Sequence, residues 1–168
     1  MGREVRKVPE WWYHPKYFNN FRKEYIYLPL RDGYQEDLVA WEHEMQDLNR
    51  RKAEALKEGN QRIIDDIDQS QTWHLEARPD PCKYMPDFPE ELRKYYQMYE
   101  TCSEGTPISP KFAIPEDLAR WLADNRASSF ADMTATYEEW LRMITGPGWS
   151  VSAASDGVHG LISGVQAG

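Results

Sequence analysis

The N-terminal part of the chain has the hydrophobic pattern of two short strands. Residues 3–8, REVRKV, alternate charged and apolar positions and stop at Pro9, which predicts a strand at the edge of a sheet. Residues 24–30, EYIYLPL, are aromatic and β-branched and run into the turn signal Arg31-Asp32-Gly33. We therefore expect strands at 3–8 and 24–30, separated by an extended arm.

From Tyr34 the apolar residues follow a helical period instead. Leu38, Trp41, Met45 and Leu48 recur at spacings of three and four, which predicts a helix over 35–58 that stops at Gly59 and Asn60. Such a length leaves room for a two-stranded coiled coil, so a homo-oligomer formed through this helix is one expectation. A shorter apolar pattern predicts a second helix over 60–70.

Proline marks a change of architecture after this helical region. No proline lies between Leu30 and Arg78, and seven of the eleven lie from Pro79 to Pro115, where they exclude a continuous helix. Beyond them the pattern predicts strands at 96–102 and 158–165 and helices at 116–125 and 137–144. Thr136 and Glu139 have the spacing of a capping box at the start of the last helix. These elements predict an α+β fold with a small, mostly antiparallel sheet packed by helices.

Length and charge bound the class of protein. The 168 residues suit a single domain, and a hydrophobic fraction of 40% argues for a folded chain. The net charge of −8 repels phosphate backbones, so general nucleic-acid binding is not expected. The charge is uneven, because residues 1–30 carry six Lys or Arg against three Glu. No apolar run is long enough for a membrane span, and two cysteines do not make a disulfide framework.

Candidate chemistry is sparse along the chain. His74, Cys82, Cys102 and His159 match no compact zinc-ligand spacing. The acidic run Asp65, Asp66 and Asp68 lacks the pattern of a calcium loop and is typical of a solvated helix face. The hydroxyl-rich segment 103–109 contains no histidine and no nucleophile motif, and it leads into a helix that begins at Pro115. We expect no cofactor, no metal and no catalytic residue.

The clearest binding feature is a run of aromatic residues. Residues 11–21, WWYHPKYFNNF, hold six aromatics, which either anchor the arm on the domain or form a surface for a partner. A base-stacking surface with Lys16, Arg22 and Lys23 is a further alternative. The candidate partner-binding residues, which include two from the long helix, are Trp11, Trp12, Tyr13, Tyr17, Phe18, Trp41 and Met45.

Three blocks of the sequence resemble a known group of proteins. These are MGREVRKVP at the start, YYQMYETCSEGTPISPKF at 95–112, and PEDLARWLADNRASSFADMTATYEEWL at 115–141. They are similar to small proteins of tailed bacteriophages and prophages, most of which have no assigned function. The resemblance implies a viral origin, a location in the host bacterial cytoplasm, and a core at 79–168, with residues 35–70 as a helical insertion between residues 1–30 and that core.

Three functions remain open at this point. The first is a non-enzymatic phage accessory protein that binds a host or phage protein, for example to inhibit a host defence or nucleic-acid enzyme. The second is a minor virion or assembly component, since extended arms contact neighbouring subunits in such particles. The third is a metal-dependent enzyme that uses Asp65, Asp66 or Ser109.

Overall fold

The computed structural model describes residues 2–101, 105–150, 153–155 and 161–167 and divides the chain into two units. The first unit combines Met1–Leu30 with Pro86–Gly168, and the second is Arg31–Met85. The predicted helical insertion at 35–70 thus lies within the second unit. The strands are β1 Arg3–Val8, β2 Lys16–Asn19, β3 Glu24–Tyr27, β4 Tyr95–Glu100, β5 Thr106–Pro107, β6 Ser128–Phe130, β7 Met133–Thr134, β8 Trp149–Ser150, β9 Ala153–Ser155 and β10 Leu161–Ser163. The helices are α1 Tyr34–Glu58, α2 Gln61–Glu76, α3 Pro115–Asp124, α4 Tyr137–Thr145 and α5 Gly164–Ala167, with short 3-10 helices at Pro81–Lys83 and Glu90–Leu92.

The first unit is built on a four-stranded antiparallel sheet in the order β5-β4-β1-β8. Strand β1 pairs along its whole length with β4, from Arg3 opposite Glu100 to Val8 opposite Tyr95. Helices α3 and α4 pack together over this sheet, and Met98, Leu122 and Trp140 lie in their common core. The predicted α+β fold is confirmed.

Both C-terminal helices begin as the sequence predicts. Pro115 occupies the first turn of α3, where its missing N–H has no partner to lose. At the start of α4 the Thr136 hydroxyl accepts a hydrogen bond from the Glu139 N–H at 3.3 Å. The Glu139 carboxylate in turn accepts from the Thr136 N–H at 2.8 Å. The predicted capping box is therefore present.

Two predicted strands lie outside the main sheet. Strand β1, predicted at a sheet edge, lies between β4 and β8, and the predicted strand at 24–30 pairs with β2 as a separate hairpin over 24–27. The arm expected to be extended thus contains a strand. Of the predicted strand at 158–165, Leu161–Ser163 form β10, which pairs with β9, whereas residues 164–165 belong to α5 and residues 156–160 are outside the described residues. Cys102, at the end of the predicted strand 96–102, is likewise outside them.

The second unit is an antiparallel helical hairpin. The predicted helix at 35–58 is confirmed as α1, and Asn60 begins α2 by accepting a hydrogen bond from the Ile63 N–H at 3.3 Å. Helix α2 runs to Glu76, six residues beyond the predicted end at 70. The buried apolar side chains of the two helices are Leu48, Ala55, Ile64 and Ile67. Oligomerisation through α1 stays a prediction.

Candidate interaction surface

A two-stranded ribbon of the first unit carries most of its exposed aromatic side chains. We call residues 16–27, which comprise β2, β3 and the turn between them, the aromatic hairpin. Five of its twelve residues are aromatic and exposed, and they are Tyr17, Phe18, Phe21, Tyr25 and Tyr27. Phe21, at the turn, is 96% exposed and Tyr25 is 69% exposed. Exposed apolar surface of this kind makes the hairpin a candidate interaction surface.

The turn of the hairpin is held by a single asparagine. The Asn19 side-chain oxygen accepts hydrogen bonds from the N–H groups of Phe21 and Arg22, both at 3.0 Å. The Asn19 carbonyl oxygen accepts from the Lys23 N–H at 2.8 Å. Lys23 closes the turn in the left-handed region at φ 59°, which is unusual for a residue with a side chain. The turn therefore presents Phe21 and Arg22 outward on a defined backbone.

One face of the hairpin collects four of its side chains. Lys16 lies opposite Tyr27 and Phe18 lies opposite Tyr25, so all four point to the same side, which we call the aromatic face. The Phe18 and Tyr25 rings meet edge to face with centroids 5.2 Å apart. The Lys16 ammonium lies 4.4 Å from the centre of the Tyr27 ring. These cross-strand contacts order the side chains that a partner would meet.

His14 secures the base of the hairpin. At this position the ladder would need an N–H from residue 15 to reach the Leu28 carbonyl, and residue 15 is proline. The His14 Nε2 atom lies 2.6 Å from that carbonyl oxygen and supplies the missing donor. A carbonyl only accepts, so Nε2 carries the proton. His14 is 8% exposed, and its structural role could not be predicted from the sequence.

The other ring nitrogen of His14 joins a buried polar network. Its Nδ1 atom is 3.2 Å from the Tyr99 hydroxyl, which is also 3.2 Å from the Gln97 side-chain oxygen. The Gln97 side-chain N–H donates a hydrogen bond to the Ser109 carbonyl at 2.9 Å. Burial lowers the pKa of His14, the hydrogen bond to the Leu28 carbonyl partly offsets this, and the positive charge of Arg6 lowers the pKa further. Both ring nitrogens are within hydrogen-bond distance of a partner, so His14 is part of a structural network.

The candidate residues just before the hairpin divide between exposure and anchoring. Trp11 and Tyr13 are exposed, whereas Trp12 is half-buried with its ring centroid 5.0 Å from that of Phe88. Lys111 donates hydrogen bonds to the backbone carbonyls of Glu10 and Trp12 and lies 4.2 Å from the centre of the Tyr13 ring. Burial lowers the pKa of Lys111. Trp12 thus anchors the arm, as one of the two expectations had it, while partner binding by the exposed Trp11 and Tyr13 stays a prediction.

The remaining two candidates lie in the second unit. Trp41 stacks on His74 with ring centroids 5.2 Å apart, and its indole N–H donates to the His74 carbonyl at 2.7 Å. The His74 Nε2 atom is 2.7 Å from the Trp41 carbonyl oxygen. Met45, one turn further along α1, is half-buried. The polar atom of Trp41 is therefore used to join α1 to α2.

A cavity of about 430 Å³ lies beside this stacked pair. Two of its charged groups pair with each other, since Arg31 is 3.1 Å from the Asp37 carboxylate, which also accepts a hydrogen bond from the Tyr84 hydroxyl at 2.6 Å. That hydrogen bond, together with burial, raises the pKa of Tyr84. Tyr84 thus stays protonated as a donor.

The sequence candidates for chemistry are not brought together. Within the described ranges, no three His, Cys, Asp or Glu side chains are grouped so that they could hold a metal ion. Asp65, Asp66 and Asp68 are exposed on α2, and Asp68 pairs with Lys52. Cys102, His159 and Ser103 lie outside the described residues.

Ser109, the described hydroxyl singled out in 103–109, has a structural position. It is buried, its oxygen accepts from the Met98 N–H at 2.9 Å, and its hydroxyl donates to the Pro110 carbonyl at 2.8 Å. Its single proton is therefore already committed to the backbone.

Sequence reasoning named Tyr17 and Phe18 as binding residues and missed Tyr25 and Tyr27. The signal was available, because the alternation in EYIY puts both tyrosines on one face once the segment 20–23 is taken as a hairpin turn. Reading 24–30 as part of the main sheet hid this pairing.

Comparison with known proteins leaves the surface as the main guide to function. No protein-family model matches the chain, and neither a curated protein nor a solved structure does. No helix among the described residues combines the length and hydropathy needed to cross a lipid bilayer.

Proposed function

We propose that this chain is a non-enzymatic bacteriophage accessory protein that binds another protein through its aromatic hairpin. The observation that carries the proposal is the exposure of five aromatic side chains on twelve consecutive residues. Aromatic side chains are enriched in protein interfaces because they bury a large area at a low entropy cost. A phage origin rests on the sequence resemblance, and it points to action in the host cytoplasm.

The low stability expected of an isolated two-stranded hairpin supports the same function. A two-stranded ribbon is weakly stable in water, and this one pairs with no third strand among the described residues. Leaving such a ribbon exposed has no benefit for the fold, whereas a partner that covers it would bury apolar surface and stabilise it. A host defence or nucleic-acid enzyme is the class of target that we favour.

Affinity capture from bacterial lysate tests the proposal. We expect the wild-type protein to retain a specific partner that the double variant Phe18→Ser/Tyr25→Ser loses. Both side chains are exposed, so the first unit should stay folded, which circular dichroism checks. Trp73→Ser is the matched control, since Trp73 is 62% exposed on α2 and lies outside the hairpin.

A captured protein counts only if the purified pair binds again and the double variant does not. Equal capture by the wild-type protein and the double variant would contradict the proposal. Recovery of the chain from purified virions would instead indicate a particle component.

A further inference from the structure

One hydrogen bond at the base of the aromatic hairpin shows which of its cross-strand pairs are hydrogen-bonded. The Leu28 N–H donates to the Pro15 carbonyl at 2.9 Å, so residues 15 and 28 form a hydrogen-bonded pair. Such pairs alternate with non-hydrogen-bonded pairs along an antiparallel ribbon. In the observed register the pairs 17/26 and 19/24 are therefore hydrogen-bonded, and 16/27 and 18/25 are not.

It follows that two residues of β3 direct their backbone groups away from β2. The N–H and C=O groups of Tyr25 and Tyr27 point to the outer edge of the strand, because they belong to the non-hydrogen-bonded pairs. Among the described residues neither makes a backbone hydrogen bond there. An edge with unpaired donors and acceptors is a template for another strand.

The same two residues contribute their rings to the aromatic face. A strand added along β3 would place alternate side chains beside Tyr25 and Tyr27 while its backbone bonds to theirs. The outer edge of β3 and the aromatic face could thus contact the same extended segment. A nucleic-acid backbone does not fit this edge, because phosphates carry acceptors only and would leave the outward carbonyls unpaired.

Charge selects the chemistry of that segment. The hairpin carries three cations, Lys16, Arg22 and Lys23, against the single carboxylate of Glu24, in a chain of net charge −8. Arg22 is 4.0 Å from Glu24 in an exposed pair, which leaves both lysines to face a partner. An acidic segment is attracted to this site, and a basic one is repelled.

We propose that an extended, acidic segment of a partner protein adds as a third strand along the outer edge of β3, with apolar and acidic side chains on the aromatic face beside the rings and Lys16. This inference rests on the proposed function and specifies how the partner binds. The backbone contacts would supply affinity, and the rings and lysines would supply specificity.

Proline substitution isolates the edge from the rings. Because the Tyr25 N–H faces outward, Tyr25→Pro removes an edge donor without removing a hydrogen bond of the ribbon. Tyr25→Ala removes the ring and keeps the donor, so it is the matched control. Phe18→Pro against Phe18→Ala makes the same comparison on the outer edge of β2.

The probe is a capped octapeptide of sequence EEVVEEVV, which carries glutamate and valine on both faces of an extended strand, with KKVVKKVV and oligothymidylate as comparisons. We expect the acidic peptide alone to bind, and Tyr25→Pro to weaken it about tenfold relative to Tyr25→Ala. Phe18→Pro should match Phe18→Ala within about twofold. In the wild-type protein, NMR should show slower amide exchange at Tyr25 and Tyr27 on peptide addition, which does not depend on any variant folding.

Four binding results would overturn the inference. They are equal affinities of Tyr25→Pro and Tyr25→Ala, a larger effect at Phe18→Pro, no saturable binding of the acidic peptide at about 1 mM, and preferential binding of oligothymidylate. Concentration-dependent dimerisation that Tyr25→Pro abolishes would also overturn it, with a second copy as the occupant. If Tyr25→Pro captures the cellular partner as well as Tyr25→Ala does, while Phe18→Ser/Tyr25→Ser loses it, the proposed function stands and strand addition fails.

Discussion

Gly105 is the position where a single methyl group should damage the first unit most. Its backbone lies in the left-handed region at φ 54°, and its carbonyl accepts a hydrogen bond from the Leu30 N–H at 3.2 Å. A Cβ atom at residue 105 would stand 1.9 Å from the Leu30 carbonyl oxygen and 2.6 Å from the carbonyl carbon. No side-chain rotation relieves this clash, because both atoms belong to backbone. Gly105→Ala must therefore separate the two segments.

The expected loss has three parts. Holding alanine in the left-handed region costs about 1–2 kcal/mol. Separation breaks the hydrogen bond between Leu30 and Gly105, which is worth about 1 kcal/mol. The Arg6 guanidinium donates to the same Leu30 carbonyl at 2.8 Å, and losing that charged hydrogen bond costs about 1.5–3 kcal/mol. Together these predict a loss of about 3–6 kcal/mol, a large part of the roughly 5–15 kcal/mol typical of a domain.

Gly148→Ala is the matched control in the same unit. Gly148 has a similar φ of 75°, but the nearest atom to its Cβ position is a side-chain methyl of Val5 at 3.4 Å. It should therefore lose only the backbone part, about 1–2 kcal/mol. Guanidinium titrations read by hydrogen exchange of β4, which lies in the first unit, would measure both variants. Losses that agree within about 0.5 kcal/mol would refute the role given to the Leu30 contact.

Three further predictions concern the two hairpins. Trp41→Phe keeps the stack on His74 but loses the indole hydrogen bond, so the second unit should lose about 1–2 kcal/mol of stability in thermal unfolding. The control Trp73→Phe, at an exposed position, should change the stability by less than about 0.5 kcal/mol. Equal losses would contradict the role given to the hydrogen bond between Trp41 and His74. Burial lowers the pKa of His14 in the folded state, so on acidification the unfolded chain binds a proton at a higher pH than the folded chain does. The contribution of His14 to stability should therefore be complete above the unfolded-state pKa of about 6.5 and should fall as the pH drops from there toward the folded-state pKa. His14→Gln should flatten that dependence in denaturant titrations at several pH values, and an unchanged slope would be contrary to it. Lys23→Gly should relieve the strain of the left-handed backbone at residue 23 and slow amide exchange in the aromatic hairpin. The net gain in stability should stay below about 1 kcal/mol, because glycine also raises the conformational entropy of the unfolded chain. Faster amide exchange would disprove the strain.

Local signals explain why the helices could be predicted. The helical spacing from Leu38 to Leu48 defines α1, and Thr136 with Glu139 defines the start of α4. Both depend on residues within a few turns of one another, so no knowledge of the fold is needed. The end of α2 could not be predicted in this way, because its last turns are held by contacts with Trp41, which lies 33 residues earlier.

The candidate binding surface could be predicted only in part from the sequence, because it too depends on distant residues. Composition alone pointed to the aromatic run, and Tyr17 and Phe18 are indeed exposed there. Whether each ring anchors the arm or faces solvent depends on distant residues, such as Phe88 against Trp12 and Lys111 beneath Tyr13.

The α+β class, the long helix and the starts of α3 and α4 therefore follow from the sequence alone, since they depend on periodicity, proline placement and short-range hydrogen bonds. The pairing of the strands follows only from the tertiary fold. The main sheet, in the order β5-β4-β1-β8, does not include β3, which pairs with β2 and leaves the edge of Tyr25 and Tyr27 open. Strand pairing is a competition among distant segments, and its outcome is not written in any one of them.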